Sequence, residues 1–489
     1  EETSEEMKDR AVVLLSEAIR RMVYWRVWDP WWIEEHADEW LELRNNIEAQ
    51  LGGKYDVYEV LRLVDGFIGR IEGLWSYWLG MGNEVKMMID DLLSGRGEVV
   101  IRSDGDGVSV YGEGMTLGVG LTSTGGVTAY LSPVVLEGVN VNVPDIITLM
   151  GEEDRKRFIK ILKALKAGFA ESDEGKERSM PVMKTTQNWQ AIAWALLYPG
   201  DMYVLVDSVN VNESKVTITW HLKALNHKSI KGAIFKDVEK LDEEQLLAFF
   251  TTAILGDGSA TVSKNTVRGQ TYDRPIIEIV MSNERFKLWE PLLEKLRKLG
   301  FAWSKSDLRG NAVAVRFSSG YAVSLARAMI NNLPIMMRDL LDALSIEKWA
   351  AIKQIAEMEP KFMKGEMTIT LAGYRFTVSI DDYTVRLHHN AKDDAEVKEV
   401  CEALRRVYGD DLIINVRGWG KYLRVGIPMY EIERHDDIKE LVLQVLCRKY
   451  ERIRTKDEKR EKRIIRAMRR LAPTKGAAAV DHPQETRPG

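Results

Sequence analysis

The order of helix and strand patterns after residue 241 constrains the fold of this chain more than any other feature. A helical pattern covers about 242–255. The strands SATVSKNTV and PIIEIVMS follow, then a helix, NERFKLWEPLLEKLRKLG, that ends on Gly300. Two further strands, FAWSKSD and NAVAVRFSS, precede the helix GYAVSLARAMINN. The order predicts a four-stranded sheet backed by helices.

The same order then recurs with different letters. The helix SIEKWAAIKQIAEME precedes the strands EMTITLAGYRFTVSI and YTVRLHH. The helix DDAEVKEVCEALRRVYG follows, and then the strands LIINVRGW and KYLRVGIPM. Two tandem αββαββ repeats predict a pseudo-twofold body with two four-stranded sheets. The predicted fold class is therefore α+β.

The N-terminal half follows other patterns. Residues 1–96 are helical and rich in tryptophan, and Trp25, Trp28 and Trp32 share one helical face. Such a face predicts a packed aromatic core, with a stacking platform for bases or a partner as the alternative. Residues 97–150 alternate like a small antiparallel sheet, and the remainder to 240 is mixed α+β. The predicted domains are 1–96, 97–240, 241–345, 346–452 and a basic tail, 453–489.

Charge is distributed unevenly over the chain. The net charge is −5, but residues 1–240 carry 27 basic and 38 acidic side chains, whereas residues 241–489 carry 42 and 36. Arg448–Arg470 alone holds 12 basic and 4 acidic residues. A basic half beside an acidic half favours a polyanionic partner for the basic half, with a solvated helical tail as the alternative.

Cysteine, histidine and hydropathy exclude several classes of protein. Two cysteines and seven scattered histidines exclude a disulfide framework and a Cys/His zinc cluster. No run approaches eighteen consecutive apolar residues, so we predict no membrane span. We expect an intracellular, cytoplasmic protein, and the abundance of Glu, Lys and Arg with few Cys is typical of a thermophilic source.

The segment LDEEQLLAFFTTAILGDGSATVS contains a predicted helix that has small residues along one face and ends at Gly-Asp-Gly. Asp242 and Gln245 form a capping-box pattern. A stripe of small residues follows at four-residue spacing, namely Ala248, Thr252 and Gly256. This stripe predicts close packing against another helix. Asp257 then lies at the negative end of the helix dipole, which disfavours a carboxylate. A bound divalent cation would offset this effect. The alternative is that Asp-Gly simply forms a turn.

The sequence ILGDGS at this helix end resembles the LAGLIDADG homing-endonuclease motif, over about residues 241–452. The resemblance implies that Asp257, with the Gly256 carbonyl nearby, binds Mg²⁺ or Mn²⁺ for hydrolysis of a DNA phosphodiester. It is strong for the first repeat and weak for the second. There Glu366 aligns with Asp257, Glu359 is the other candidate acid, and Met367 replaces the motif glycine. The overall layout is also similar to that of PaRep-type repeat-family proteins of hyperthermophilic archaea.

The resemblance also implies that the sheets contact DNA. The candidate contacts in the first repeat are Ser263, Lys264, Arg268, Arg274, Lys305, Arg309 and Arg316, and their counterparts are Arg375, Arg386, Arg417, Lys421 and Arg424. Such side chains read guanine edges or hold phosphates. The expected partner is double-stranded DNA, with RNA as the alternative, and the expected state is a pseudo-twofold monomer or a dimer.

Three functions follow from these patterns. The first is a metal-dependent, site-specific DNA endonuclease associated with a mobile element. The second is a catalytically inactive nucleic-acid-binding protein, regulatory or maturase-like, on the same fold, because the second repeat lacks a clear acid. The third is a protein-interaction module, for which the tryptophan-rich N-terminus is the only indication.

Overall fold

The computed structural model describes residues 5–102, 107–121, 127–133, 136–267, 270–308, 310–362, 367–381, 384–419, 422–453 and 457–472. The chain begins with three helices, α1 (Glu5–Trp25), α2 (Trp31–Leu51) and α3 (Tyr58–Leu93). Five strands follow, β1 (Val100–Ile101), β2 (Gly107–Tyr111), β3 (Met115–Leu121), β4 (Val127–Pro133) and β5 (Val139–Val143).

The next segment is a complete helix-and-sheet module. It consists of α4 (Glu152–Glu171), β6 (Glu174–Glu177), β7 (Met180–Thr185), α5 (Asn188–Ala195), β8 (Gly200–Val211) and β9 (Val216–Ala224). Its strands lie in the order β6-β7-β9-β8, and β8 also pairs with β4 and β5. The module therefore continues into the N-terminal strands as one nine-stranded sheet.

A second module begins at the helix that carries Asp257. It consists of α6 (Glu243–Asp257), β10 (Gly258–Val267), β11 (Gln270–Ser282), α7 (Asn283–Lys298), β12 (Ser304–Asp307) and β13 (Ala312–Ser318). The predicted capping box is present, because Asp242 and Gln245 bond reciprocally across the first turn of α6. Gly300 follows α7 with φ +98°, as a helix stop requires. Three helices follow, α8 (Gly320–Asn332), α9 (Ile335–Ala343) and α10 (Glu347–Glu357).

A third sheet completes the chain. Its elements are β14 (Thr368–Leu371), β15 (Tyr374–Asp381), β16 (Thr384–Ala391), α11 (Asp394–Tyr408), β17 (Asn415–Trp419) and β18 (Tyr422–Ile427). The helices α12 (Met429–Arg434), α13 (Asp436–Ile453) and α14 (Glu458–Leu471) follow it. The run predicted as one strand, EMTITLAGYRFTVSI, is a hairpin, since Ala372 and Gly373 both have positive φ.

The three sheets share one strand order. β10-β11-β13-β12 and β15-β16-β18-β17 repeat the order β6-β7-β9-β8. The fold is α+β, as predicted, and the region up to residue 240 that was predicted as mixed α+β contains a ββαββ module.

The chain forms two compact units. The N-terminal unit runs to Gly258 and includes Met329–Ala350, and the C-terminal unit contains Ser259–Ala328 and the chain from Ala351 onward. The helix α6 falls in the N-terminal unit, where it packs against α4.

The predicted single helical face of Trp25, Trp28 and Trp32 is not formed, because α1 ends at Trp25 and α2 begins at Trp31.

Tryptophans of α2 and α3 do form an aromatic core. Trp32, Trp40 and Trp78 are fully buried, and the Trp40 ring stacks on Phe67 at 4.6 Å. Trp220 of β9 meets the Trp40 ring edge-on, with 5.5 Å between centroids. The aromatic side chains of α2 and α3 are therefore part of the hydrophobic core under the first module. No helix within the described residues is both long and apolar enough to span a bilayer.

Candidate functional site at the ends of two packed helices

The helix α6 packs against α4 with little space between the two backbones. A Cβ atom at Gly168 of α4 would overlap the Phe249 carbonyl oxygen and the Thr252 hydroxyl of α6. The Thr252 hydroxyl donates to the Leu165 carbonyl oxygen at 2.8 Å. The small-residue stripe of α6 therefore packs against another helix, as predicted, and that helix is α4.

The helix α4 carries the same spacing of small residues. Its stripe consists of Ala164, Gly168 and Ser172, each four residues apart. Asp173 follows Ser172 in the way that Asp257 follows Gly256. This spacing, rather than any Gly-Asp-Gly, is the signal that would have located the partner helix. The segment ESDEGKERS, interpreted as an exposed loop, is in fact this helix end and the strand β6.

The two helix ends bring Asp173 beside Gly256 and Asp257. A Cβ atom at Gly256 would overlap a carboxylate oxygen of Asp173. The Gln190 amide donates to that oxygen at 2.8 Å and holds the carboxylate in place. Burial raises the pKa of Asp173 to about 6, and the nearby Asp257 carboxylate contributes to the increase. The second acid of the site is thus Asp173, and no sequence pattern had indicated it.

A lysine also reaches this point. Lys348, in the first turn of α10, donates from Nζ to the Leu255 carbonyl oxygen at 3.0 Å and to the Gly256 carbonyl oxygen. Burial lowers its pKa, while the charges of Asp173 and Asp257 oppose that effect. The helix-end site, defined as Asp173, Gly256, Asp257 and Lys348, therefore contains two carboxylates, a carbonyl and one ammonium group.

The site opens into a cavity of about 580 Å³ whose lining includes Asp173, Gly256, Gln190, Lys184 and Lys348. Lys184 of β7 pairs with Asp207 at 2.9 Å. A hydrogen bond from His221 and this lysine lower the pKa of Asp207 to about 2. The charge of Lys184 is therefore largely balanced within its own sheet.

Glu174, the neighbour of Asp173, has a different environment. It is buried and accepts hydrogen bonds from Trp194 Nε1 at 3.0 Å and from the Tyr198 hydroxyl at 2.7 Å. Burial raises its pKa. Of the two adjacent acids, Asp173 lies at the cavity and Glu174 belongs to the core.

The acids proposed for the second repeat are Glu359 and Glu366. Glu366 falls outside the described residues. Glu359 follows α10 in the C-terminal unit and lines a separate cavity with Lys449 and Arg452. Among the described residues, the carboxylate near Asp257 is that of Asp173, which follows α4.

The predicted DNA contacts of the second module have varied environments. Lys264 is exposed, and the Ser263 hydroxyl donates to the carbonyl oxygen of the half-buried Arg274 at 3.3 Å. Arg316 pairs with Glu278 at 2.7 Å. Lys305 lies 4.5 Å from the Phe286 ring of α7, on the helical side of the sheet.

Of the predicted contacts in the third sheet, Arg375, Arg386 and Arg417 are exposed and Arg424 is half-buried. Three further candidates, Arg268, Arg309 and Lys421, lie outside the described residues.

Comparisons with known proteins gave matches to solved structures alone. No protein-family model matches the chain. No curated protein matches it either. The LAGLIDADG homing endonuclease I-GzeII in complex with DNA target is 11% identical, with 44% of this chain and 94% of that chain covered at a TM-score of 0.14. The LAGLIDADG meganuclease I-CpaMI bound to uncleaved DNA is 10% identical, with 43% and 95% covered at a TM-score of 0.15. The LAGLIDADG meganuclease I-AabMI bound to uncleaved DNA is 10% identical, with 45% and 94% covered at a TM-score of 0.14.

Proposed function

We propose that this protein binds double-stranded DNA and hydrolyses its phosphodiester bonds with Mg²⁺ or Mn²⁺ at the helix-end site. The observation that carries the proposal is the pair of carboxylates, Asp173 and Asp257, at adjacent ends of two closely packed helices. Two acids at helix C-termini are each disfavoured by the helix dipole and by one another. A divalent cation would remove both penalties.

The donor atoms of the site fit such a cation. Asp173, Asp257 and the Gly256 carbonyl offer only oxygen, and Mg²⁺ commonly takes one or two carboxylates together with water and substrate phosphate. The described residues contain no cluster of three or more His, Cys, Asp or Glu side chains suited to a metal. A bound metal would activate water and stabilise the leaving oxygen. Gln190 orients the Asp173 carboxylate, and Gly256 leaves room for it.

DNA as the substrate is supported by the ILGDGS motif and by basic side chains on the sheets. Lys264 and Arg375 are exposed strand residues of the kind that holds phosphates. The metal and the choice of DNA over RNA belong to the proposal, as does the association with a mobile element.

Lys348 supports a second candidate, a DNA-binding protein that does not cleave. Its ammonium group donates to the Gly256 carbonyl, which is one of the oxygens expected to contact the metal. Its charge also compensates Asp173 and Asp257. In this alternative the lysine takes the place of the cation, and the helix pair has a structural role only.

Cleavage of a supercoiled plasmid library separates the two candidates. The wild type, Asp173→Asn, Asp257→Asn and the control Asp394→Asn, an exposed acid of α11, are incubated with Mg²⁺, Mn²⁺ or EDTA. We expect metal-dependent nicking or linearisation by the wild type and the control, and at least a hundred-fold loss in either site variant. Electron paramagnetic resonance of Mn²⁺ then reports metal binding without reference to activity.

Each outcome of these measurements supports one of the two candidate functions or contradicts the proposal. Tight Mn²⁺ binding that both site variants lose supports the metal site even before a target sequence is found. Salt-sensitive plasmid retardation without cutting or Mn²⁺ binding favours the second candidate. Cutting that survives both substitutions would place the chemistry elsewhere and overturn the proposal.

A further inference from the structure

The C-terminal unit contains a cavity of about 570 Å³ beside the helices α13 and α14. Residues three and four apart share one side of a helix, and one such side of each helix lines the cavity. The last turns of α13 provide Lys449, Arg452 and Ile453, and the first turns of α14 provide Arg460, Arg463 and Ile464. The other lining residues are Glu359, Met367, Ile380 and Asp457. Each helix therefore presents two cationic side chains and one isoleucine to the same space.

One wall of this cavity is apolar and continues into the core of the third sheet. Ile464 is buried in that core, and Ile380 and Ile453 pack against it. The cavity therefore lies on the helical side of the sheet. Arg386, one of the predicted DNA contacts, has a buried neighbour on each side in its strand, so its side chain points to the opposite face. The cavity is thus separate from the surface that the strand arginines form.

The cationic side chains of the cavity outnumber its acids, with four cations against two carboxylates. One of these carboxylates is already engaged, because Asp457 caps α14 and accepts a hydrogen bond from the Arg460 backbone N–H at 3.0 Å. The same carboxylate lies 4.0 Å from Arg460 Nε. The lining therefore keeps an excess of positive charge that its own acids do not balance.

Lys449 lies among like charges in this cavity. Burial lowers the pKa of its ammonium group, and the charges of Arg460 and Arg452 lower that pKa further. No carboxylate of the described residues opposes this effect. Three cations from two helices thus converge without an acid that compensates the lysine. An anion bound between the helices would supply that compensation and favour the charged form of Lys449.

We propose that this cavity binds a small organic polyphosphate, such as a nucleoside triphosphate. Arginine guanidinium groups bind phosphate oxygens through paired hydrogen bonds, and a lysine ammonium group adds a compact charge. The isoleucine wall provides apolar contact for the organic part of the ligand. The volume of about 570 Å³ lies within the range of small-molecule sites. This inference goes beyond the proposed function and does not depend on it.

Other ligands fit the cavity less well. A divalent cation would meet four positive side chains in its lining. An uncharged apolar ligand would desolvate those side chains without pairing them. A DNA duplex bound by the strand arginines would lie on the opposite side of the third sheet. A compact molecule that carries several negative charges and an apolar part is therefore the ligand that the lining favours.

Isothermal titration calorimetry of the full chain with ATP, inorganic tripolyphosphate and adenosine tests the proposal. EDTA is present throughout, so that divalent metal does not contribute to binding. The cavity variant, Arg452→Gln/Arg460→Gln, removes two exposed cations from the lining. The matched control, Lys459→Gln/Lys462→Gln, removes two exposed cations of α14 that lie outside the lining.

We expect the wild type to bind ATP more tightly than tripolyphosphate, and to bind adenosine at least about 100-fold more weakly than ATP. The cavity variant should bind ATP about 10- to 100-fold more weakly than the wild type, because it loses charged hydrogen bonds to phosphate. The control should stay within about twofold of the wild type. ATP should also raise the melting temperature of the wild type and the control more than that of the cavity variant. Equal melting temperatures without ATP confirm that the exposed substitutions leave the fold intact.

Several results would contradict the inference. Equal ATP affinities in the cavity variant and the control would indicate a general attraction of anions to α14 and overturn it, as would a wild type that does not bind ATP. Tripolyphosphate that binds as tightly as ATP would overturn the choice of an organic ligand. Weaker binding of a 40-base-pair DNA duplex by the cavity variant, with unchanged ATP affinity, would assign these charges to DNA and overturn the site. Each result is obtained without metal or cleavage, so it leaves the proposed function of Asp173 and Asp257 untouched.

Discussion

Asp173 shows how the environment of one carboxyl group sets its properties. It lies among buried atoms and next to Asp257, and both effects oppose ionisation. Gln190 and Lys348 act in the opposite direction. At neutral pH the Asp173 carboxyl group is ionised. Ionising it costs more free energy in the folded protein than in the unfolded chain, so its ionisation lowers the stability of the fold.

This cost predicts a pH-dependent effect of Asp173→Asn. The carboxyl ionises near pH 6 in the folded protein and near its ordinary value of 3.8 when unfolded. The native state therefore binds the proton more tightly, and its stability falls as the pH rises from about 4 to about 6. Asparagine cannot ionise, so we expect the variant to be more stable than the wild type by on the order of 1–2 kcal/mol at pH 8. The difference should shrink at pH 5.

Urea unfolding without metal, at pH 5, 6, 7 and 8, measures this difference. Asp394→Asn on α11 serves as the control, because that side chain is exposed. A stability difference between Asp173→Asn and the wild type that is the same at pH 5 and pH 8 would contradict the environment assigned to Asp173.

The second prediction at the residue scale concerns the stability and the Mn²⁺ affinity of Lys348→Met. With its ammonium replaced in Lys348→Met, the Gly256 carbonyl is released and the two carboxylates lose their compensating charge. We expect the metal-free variant to be less stable by about 1–3 kcal/mol, because the half-buried ammonium group loses its hydrogen bonds to two backbone carbonyls. Mn²⁺ should bind about tenfold more tightly, since no cation competes for the site.

Titration calorimetry with Mn²⁺ and thermal unfolding with and without the metal give both quantities. Lys353→Met, farther along α10, is the matched control. Equal Mn²⁺ affinities in the wild type and Lys348→Met would show that the lysine does not compete with a cation.

The sequence revealed some of these residues and concealed others for physical reasons. Asp257 was predictable, because a glycine-flanked acid at a capped helix end is a local pattern. Asp173 lies in SDEG, where a serine precedes the acid, and only its contact with α6 gives it a role. Lys348 is far from Gly256 in sequence, and no local pattern records such a contact.

At the scale of elements, the periodicity of the sequence predicted which face of α6 carries small side chains. It did not predict which helix packs against that face. Helix faces are local properties, whereas the choice of partner depends on the whole chain. In the structure that helix is α4, whose stripe of small residues has the same spacing.

Because α4 and α6 are in close contact at Gly168, we expect Gly168→Ala to lower the free energy of unfolding substantially. The new methyl group would overlap backbone atoms of Phe249 and Ala253, which cannot rotate away. We expect a loss of about 2–4 kcal/mol in the free energy of unfolding and a displaced helix-end site. Gly69→Ala is the control, because a methyl group on that exposed glycine of α3 would have no other atom within 4 Å. It should raise stability by up to about 1 kcal/mol.

Chemical denaturation measures the free energy of unfolding of both variants. If Gly168→Ala were as stable as Gly69→Ala, the helices would not be in backbone contact. Mn²⁺ binding by Gly168→Ala then reports whether the carboxylate geometry survives.

At the scale of the whole molecule, the first module depends on the N-terminal 150 residues. The strand β8 pairs with β9 on one side and with β4 and β5 from the N-terminal region on the other. The helices α2 and α3 supply aromatic side chains that cover β9. Hydropathy patterns revealed these helices and strands but not their union with the module, because strand pairing between distant segments leaves no local signature.

This dependence predicts that a core substitution in α2 weakens the module that carries Asp173. Trp40 is fully buried between Phe67 of α3 and Trp220 of β9, with ring centroids 4.6 and 5.5 Å away. Trp40→Ala should cost about 3–5 kcal/mol in the free energy of unfolding, because it leaves a large cavity under the sheet. Leu79→Ala, at a residue that is 61% exposed, should change stability by less than about 0.5 kcal/mol. Hydrogen exchange of the β8 and β9 amides, measured below the unfolding transition, should accelerate in Trp40→Ala and not in Leu79→Ala. If exchange in β8 and β9 were equally slow in both variants, the tryptophan-rich helices would be a separate domain, and the helix-end site would be expected to survive their removal.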